Sequence, residues 1–225
     1  MDPFPGPERQ IRAWRRANRK MGWRIPGEAF QRIGQAPRLT PEDRRLGFRG
    51  IALCYGFGET ESGTSDPVLS AERAWSHVLR RRRRRAWQCE YIRFGDPAFI
   101  RLRPGAPPRP AGFYFVKVNL GEGTASLSVR SVRRSLGGLT AWGPEGIQLA
   151  GIVHPGLCNA MNERKIPFLS LGDLDVAPYG FSDFFDAPQI FCSEEVMGLG
   201  IGNVDRVYPR FVVPTLRIAH RCTRS

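Results

Sequence analysis

The sequence has few of the residues that usually mark a catalytic or metal-binding site. It contains three histidines and five cysteines, and no two cysteines form a CxxC pair. An odd number of cysteines without such pairs disfavours a secreted disulfide framework. We therefore expect small buried thiols in their reduced state, and a cytoplasmic location.

Long apolar runs and targeting signals are also lacking. No run approaches the roughly 20 apolar residues that a membrane-spanning helix requires. The first residues do not show the charged-then-apolar order of a signal peptide. Because 41% of the residues are hydrophobic, including 14 Phe and 5 Trp, we expect a globular protein without a transmembrane segment. The sequence does not indicate an oligomeric state.

Lysine is rare, and almost all of the net positive charge lies in the first half of the chain. Of 34 basic residues only three are lysines. Residues 1–110 hold 23 basic against 11 acidic residues, whereas residues 111–225 hold 11 against 10. A G+C-rich genome accounts for many arginines but not for their confinement. A positive electrostatic field in one region favours the binding of phosphate groups, anionic lipid or an acidic protein.

The pattern predicts an α+β fold, with a basic helical N-terminal half and a β-rich mixed or antiparallel sheet in the C-terminal half. We expect a disordered start and a basic helix in residues 1–25, then a helical or irregular region with an arginine-rich helix in residues 26–110. Residues 111–225 would form a β-rich domain. The alternative is one continuous domain from about residue 45.

Several element boundaries follow from local signals. Disorder is expected in residues 1–7, and four prolines predict a linker at residues 104–110. Asp66 and Pro67 predict the start of a helix that runs to Trp87. Glycines at residues 198–202 indicate a turn or bulge. Strands are expected at residues 51–55, 113–120, 147–153, 166–171, 189–192 and 206–219.

The two basic helices are the candidate binding elements. Six consecutive arginines end the second helix, and an arginine-rich turn can neutralise several phosphates with little sequence readout. Trp75 and Trp87 would stack on bases if exposed. The alternative is a set of solvated arginines without a ligand. The predicted contacts are Arg12, Arg15, Arg16, Arg19, Arg80, Arg81, Arg82, Arg83, Arg84 and Arg85.

Other motifs are weaker. Asp173 and Asp175 alternate as on a strand and could hold Mg²⁺ for hydrolase or nuclease chemistry, although aspartates beside Gly and Pro are also common in turns. Cys158 lies four residues from His154, which would allow a nucleophile and base on one helix; a buried thiol is the simpler interpretation. We expect no catalytic residue and no cofactor.

One segment is similar to a known group of proteins. Its residues include Leu139 to Leu149 (LTAWGPEGIQL), His154-Pro155, residues 166–168 (IPF) and residues 175–180 (DVAPYG). Residues 139–190 resemble a family of short, uncharacterised bacterial proteins. The resemblance covers under a third of the chain and implies a bacterial source but no activity.

Taken together, the sequence predicts a basic, non-enzymatic protein that binds nucleic acid or another polyanion through an arginine-rich helix. A protein–protein interaction or structural role with an acidic protein partner is the alternative, and a metal-dependent hydrolase is the third.

Overall fold

The computed structural model describes residues 4–163, 168–178, 183–192, 196–207 and 211–221. The fold is α+β, as the sequence predicts, with the longest helices in the first half and most strands in the second. The helices are α1 (Pro7–Met21), α2 (Gly27–Gln31), α3 (Pro41–Arg45), α4 (Pro67–Arg82), α5 (Val129–Arg134), α6 (Pro144–Gln148) and α7 (Leu157–Glu163).

Helix starts follow the local sequence. Proline stands at the first position of α1, α3, α4 and α6, where its missing N–H costs no helical hydrogen bond. Asp66 caps α4, because its Oδ1 accepts from the backbone nitrogens of Val68 at 2.8 Å and Leu69 at 3.0 Å. Thr40 and Asp43 form a reciprocal capping box at α3.

The strands form two sheets. They are β1 (Phe48–Gly56), β2 (Ala86–Gln88), β3 (Ile100–Leu102), β4 (Gly112–Asn119), β5 (Thr140–Ala141), β6 (Phe168–Ser170), β7 (Leu174–Val176), β8 (Asp186–Cys192), β9 (Met197–Asn203), β10 (Phe211–Val212) and β11 (Thr215–Arg221). The first sheet has the antiparallel order β1-β4-β11-β5. The second has the order β10-β6-β8-β7-β3, with β9 beside β8 and β2 beside β9.

The second sheet is mixed. The pairs β2–β9 and β6–β10 are parallel, and its other pairs are antiparallel. Strands β1, β2 and β3 come from the first half of the chain, so both sheets join residues from the two halves. The largest hydrophobic core likewise contains Trp14 and Trp75 together with Leu199 and Leu216.

Helix α1 covers the outer edge of the first sheet. The side chain of Gln10 donates to the carbonyl of Ile51 at 2.8 Å and accepts from the nitrogen of Leu53 at 2.7 Å. Nε1 of Trp14 donates to the carbonyl of Leu53 at 2.8 Å. Farther along the edge, the Gln148 amide bonds both backbone groups of Tyr55. Side chains thus replace the missing neighbouring strand.

Helix α4 packs through small residues against the segment that follows α6. Ala71, Ala74 and Val78 are buried on its inner side. Helix α6 continues into a π-helical turn, Leu149–Val153. A Cβ atom at Gly151 would lie 2.5 Å from Cγ2 of Val78, so glycine is needed for this close approach.

Three predicted elements are wrong. Residues 147–153 are helical. Because every residue of this segment is buried, its sequence shows no polar face, and a helix cannot be distinguished there from a buried strand. Residues 198–202 belong to strand β9, where a Cβ at Gly198 would collide with Trp87. The helix from Pro67 ends at Arg82, because Arg83 adopts a φ of +49°.

Other expectations fail at particular side chains. Phe4 is buried against Gly50, so disorder does not extend through residues 1–7, of which residues 1–3 lie outside the described part. The proline-rich segment at residues 104–110 is no free linker, because it carries the fully buried Arg109. The prolines of residues 206–219 indicate an edge strand or a broken strand; the break is confirmed at Pro214, between β10 and β11, but the edge position is wrong because β11 is internal to its sheet.

The cysteines differ in their oxidation state. Cys54 and Cys89 are free thiols, but Cys192 is disulfide-bonded, which corrects the expectation of reduced thiols throughout.

In the described ranges no helix has both the length and the apolar character that crossing a bilayer demands.

Candidate polyanion-binding surface

A cleft of about 410 Å³ lies between α1 and α4. We call it the α1–α4 cleft. Its apolar part consists of side chains from α1 and from the π-helical turn, among them the buried Ala17, Ile152 and Val153. Five exposed cations and one buried histidine complete its lining: Arg9, Arg12, Arg16, Lys20, Arg81 and His77.

The spacing of the α1 cations explains why they share this cleft. Arg9, Arg12, Arg16 and Lys20 are separated by three, four and four residues, which places them along one side of a helix. Because Gln10 and Trp14 fix the opposite side to β1, this basic side is held towards α4. Helix α4 contributes Arg81, whose Nη1 donates to the carbonyl of Gly151 at 3.3 Å.

Among the described residues, few carboxylates lie near the cations of the cleft. Arg12 lies 3.7 Å from Glu8, and both side chains are largely exposed. Within the described ranges, no carboxylate oxygen lies within 4.0 Å of the charged nitrogens of Arg9, Arg16, Lys20 or Arg81. The cleft is therefore a concentrated region of positive charge.

His77 is the buried member of the cleft. Its residue is 6% exposed, and Nδ1 has no hydrogen-bond partner among the described residues. Burial, together with the positive charges of Arg81 and Lys20, lowers the pKa of His77 to about 4. The imidazole is therefore neutral at neutral pH, although it stands among cations.

The predicted contacts on α1 divide between two sides of the helix. Arg12 and Arg16 line the α1–α4 cleft. Arg15 and Arg19 line a separate cavity with Phe30, and the guanidinium carbon of Arg15 lies 5.5 Å from the centre of the Phe30 ring. Two of the four therefore join Arg81, and the other two form a flank on the adjacent side.

The arginine run also divides. Arg80, Arg81 and Arg82 form the last helical turn of α4, whereas residues 83–85 form a 3₁₀ turn that leads into β2. Arg82 is half-buried, and burial next to Arg81 lowers its pKa. Arg80, Arg83 and Arg85 are exposed, and the side chain of Arg84 lies outside the described part.

The two tryptophans have opposite environments. Trp75 is 1% exposed and belongs to the core, so it cannot stack on a base. Trp87 is 46% exposed. It lies two residues after Arg85 and lines an apolar cavity of about 430 Å³ on the second sheet, together with Phe168, Phe191 and Ile201. Trp87 alone retains the predicted stacking role.

The carboxylates of the metal hypothesis are bound by arginine. Asp173 is fully buried and accepts from Arg109 at 2.8 Å, from Arg103 at 3.1 Å and from the hydroxyl of Thr140. Asp175 accepts from Arg133 at 2.7 Å. No group of three potential metal ligands occurs in the described ranges. The arrangement is a buried ion-pair network, which the sequence did not predict.

Arg109 organises that network from the proline-rich segment. Its Nε donates to Glu145 at 2.8 Å, and Glu145 also accepts from the hydroxyl of Tyr114 at 2.9 Å. Although burial opposes its charge, Glu145 and Asp173 raise the pKa of Arg109. Burial and Glu145 raise the pKa of the nearby Cys54 thiol, which therefore stays protonated.

The pair of His154 and Cys158 gains no support as a catalytic site. The ring of His154 lies 5.5 Å from that of Phe4, in an edge-on arrangement. The side chain of Cys158 is outside the described part, so this pairing stays a prediction.

Sequence reasoning missed three members of the cleft, namely Arg9, Lys20 and His77. The spacing of the α1 cations is a signal that could have selected Arg9 and Lys20 over Arg15 and Arg19. Only the packing of α1 against α4 reveals His77, which is distant from α1 in sequence. The chain matches no family model, no curated protein and no solved structure, and the resemblance of residues 139–190 stays a prediction.

Proposed function

We propose that the protein binds nucleic acid through the α1–α4 cleft and the exposed arginines at the end of α4. The observation that carries the proposal is the convergence of five cations from two helices on one cleft with almost no neutralising carboxylate. Such a surface attracts phosphates by charge and by the release of their counterions.

The predicted mode is backbone neutralisation with modest sequence specificity. Arginine forks match phosphate oxygens in pairs and stack on bases, which a lysine ammonium does not do. Arg80, Arg83 and Arg85 would extend the cleft surface towards Trp87 along the chain. An exposed tryptophan next to arginines suits single-stranded nucleic acid, whose bases are free to stack.

An acidic protein is the alternative partner. It would use the same cations but would not need the exposed aromatic ring of Trp87, so the tryptophan favours nucleic acid. A nucleic-acid partner agrees with the expected cytoplasmic location, whereas the Cys192 disulfide is more typical of an oxidising compartment. Location therefore stays a prediction.

The test is the affinity of the full chain for a fluorescent single-stranded oligonucleotide at two salt concentrations. The variant Arg12→Gln/Arg16→Gln/Arg81→Gln removes three cleft cations. We expect weaker binding and a slope of log affinity against log salt that is shallower by about 2, since three phosphate contacts are lost and each on a single strand contributes about 0.7.

The matched control removes the same charge elsewhere. Arg44, Arg45 and Arg134 are exposed arginines of α3 and α5 that do not line the cleft. Changing these three to glutamine should leave the affinity within about threefold of the unaltered protein. Equal losses in both variants, or no binding at low salt, would contradict the proposal. Binding only to an acidic polypeptide would favour the alternative partner.

A further inference from the structure

We infer that the α1–α4 cleft is a binding site for one phosphomonoester group, carried by a nucleotide or by the phosphorylated end of a strand. The inference rests on the proposed function and deepens it, because it assigns the cleft to a terminal, doubly charged phosphate rather than to the diesters of a backbone. The two sources of this chemistry are separated by experiment below.

The dimensions of the cleft favour a discrete ligand. Its volume of about 410 Å³ falls within the range of pockets that enclose small molecules, about 300–1,000 Å³. A surface that only follows a backbone needs a charged track, not an enclosed space. The apolar side of Ile152 and Val153 provides a surface for a nucleoside beside the charged side.

The charge of the cleft suits a dianion. The charged groups that line the cleft with His77 are Lys20, Arg16, Arg12 and Arg9 from α1 and Arg81 from α4, and the first-named and last-named act on its pKa; Ile152, Val153 and Pro155 are uncharged. Among the described residues, the one carboxylate within 4.0 Å of these cations is that of the exposed Glu8, 3.7 Å from Arg12. A phosphomonoester carries up to twice the charge of a backbone phosphate and is attracted correspondingly more strongly.

His77 supplies the independent observation. It is 94% buried, and its Nδ1 lacks a hydrogen-bond partner among the described residues. A buried polar atom without a partner is unfavourable and requires a structural explanation. A phosphate bound in the cleft would offset the positive charges of Arg81 and Lys20 and would stabilise the protonated imidazole, in which Nδ1 carries a proton.

The proposal has a consequence for protonation. Without a ligand, burial and the charges of Arg81 and Lys20 hold the pKa of His77 at about 4. A bound dianion favours the imidazolium, so it raises this pKa, and by linkage the anion binds more tightly as the pH falls from 7 towards 4. Sulfate is a suitable probe because its charge does not change over this range.

The first experiment follows the histidine side chains of the full chain by NMR, in sulfate and in chloride of equal ionic strength. We expect the pKa of His77 to rise by about one unit or more in sulfate. His77→Gln identifies the signal. An equal pKa for His77 in sulfate and chloride would overturn the inference.

The second experiment compares ligands and distinguishes this inference from the proposed function. The probes are inorganic phosphate, adenosine monophosphate, and one oligonucleotide with either a 5′-phosphate or a 5′-hydroxyl. We expect the phosphorylated strand to bind roughly tenfold more tightly. Arg16→Gln/Lys20→Gln should abolish the preference, whereas Arg44→Gln/Arg45→Gln should retain it.

Each outcome has a separate meaning. Equal, salt-dependent affinity for both strands would overturn the phosphomonoester site and leave nucleic-acid binding intact. No affinity for either strand would overturn nucleic-acid binding, and the phosphomonoester site would fall with it if neither adenosine monophosphate nor inorganic phosphate bound. If both strands bind and the 5′-phosphate is preferred, tight binding of adenosine monophosphate supports a nucleotide as the source, and binding of the strand alone supports a strand end.

Discussion

Gln10 bonds to Leu53 as a neighbouring strand would. Oε1 of Gln10 accepts from the backbone nitrogen of Leu53 at 2.7 Å, and Nε2 donates to the carbonyl of Ile51 at 2.8 Å. The outermost strand of the first sheet thus has its outward backbone groups satisfied by a side chain. The same contact fixes the orientation of α1 and with it the basic side of the cleft.

Replacing Gln10 by methionine should destabilise the fold by about 2–6 kcal/mol, because the backbone carbonyl of Ile51 and the buried nitrogen of Leu53 lose their partner at about 1–3 kcal/mol each. Urea denaturation measures the change. Gln31→Met, at an exposed position of α2, should stay within about 0.5 kcal/mol of the unaltered protein. Similar effects at both positions would argue against the edge-bonding role.

Removing Arg109 should be among the most damaging single changes. Arg109→Met leaves Glu145 and Asp173 buried without their main counter-charge, and breaking a buried pair in this way costs about 3–5 kcal/mol. Chemical denaturation of Arg109→Met/Glu145→Gln/Asp173→Asn should show a smaller loss than the single variant, since no buried carboxylate of the network is left without its counter-charge and only the partly exposed Arg103 loses a partner. A larger loss in the triple variant would mean that the network stabilises through its geometry.

Asp43 should make stability depend on acid pH. Burial opposes its ionisation, but hydrogen bonds from Lys117 and Thr40 dominate and lower its pKa to about 2. Because the folded pKa lies below the unfolded one, the contribution is present above about pH 4 and is lost as the pH falls to about 2. Thermal unfolding of Asp43→Asn should lack this decline, and Lys117→Met should weaken it. An unchanged decline in both variants would disprove the assignment.

Trp87 should contribute to single-strand binding by stacking. Trp87→Leu removes an exposed ring that is 46% accessible, and loss of one stacked base costs about 1–3 kcal/mol, or roughly tenfold in affinity. Trp87→Phe should recover most of the binding. Fluorescence anisotropy measures both. If Trp87→Leu binds as tightly as the unaltered protein, the ring takes no part in recognition.

Sequence reasoning was sufficient where local chemistry decides the structure. Asp66 and Pro67 identified the start of α4, because a helix cap depends on a few neighbouring residues. The class of the fold followed from helical spacing in the first half and alternating apolar residues in the second. The basic side of α1 followed from its arginines.

Long-range contacts could not be read from the sequence. Residues 147–153 are buried on every side, so their helical period is hidden. Arg109 looked like part of a linker because its partners, Glu145 and Asp173, are 36 and 64 residues away. His77 joins the cleft only through the packing of α4 against α1. In each case the deciding contact joins segments that are distant in the chain.

Helix α1 has two roles, since it covers β1 and carries four cations of the cleft. Proteolytic trimming of the first 21 residues would therefore do more than remove charge. It would leave β1 as a bare strand able to pair with the same strand of another copy, so the shortened protein should self-associate and precipitate rather than persist as a monomer with reduced affinity.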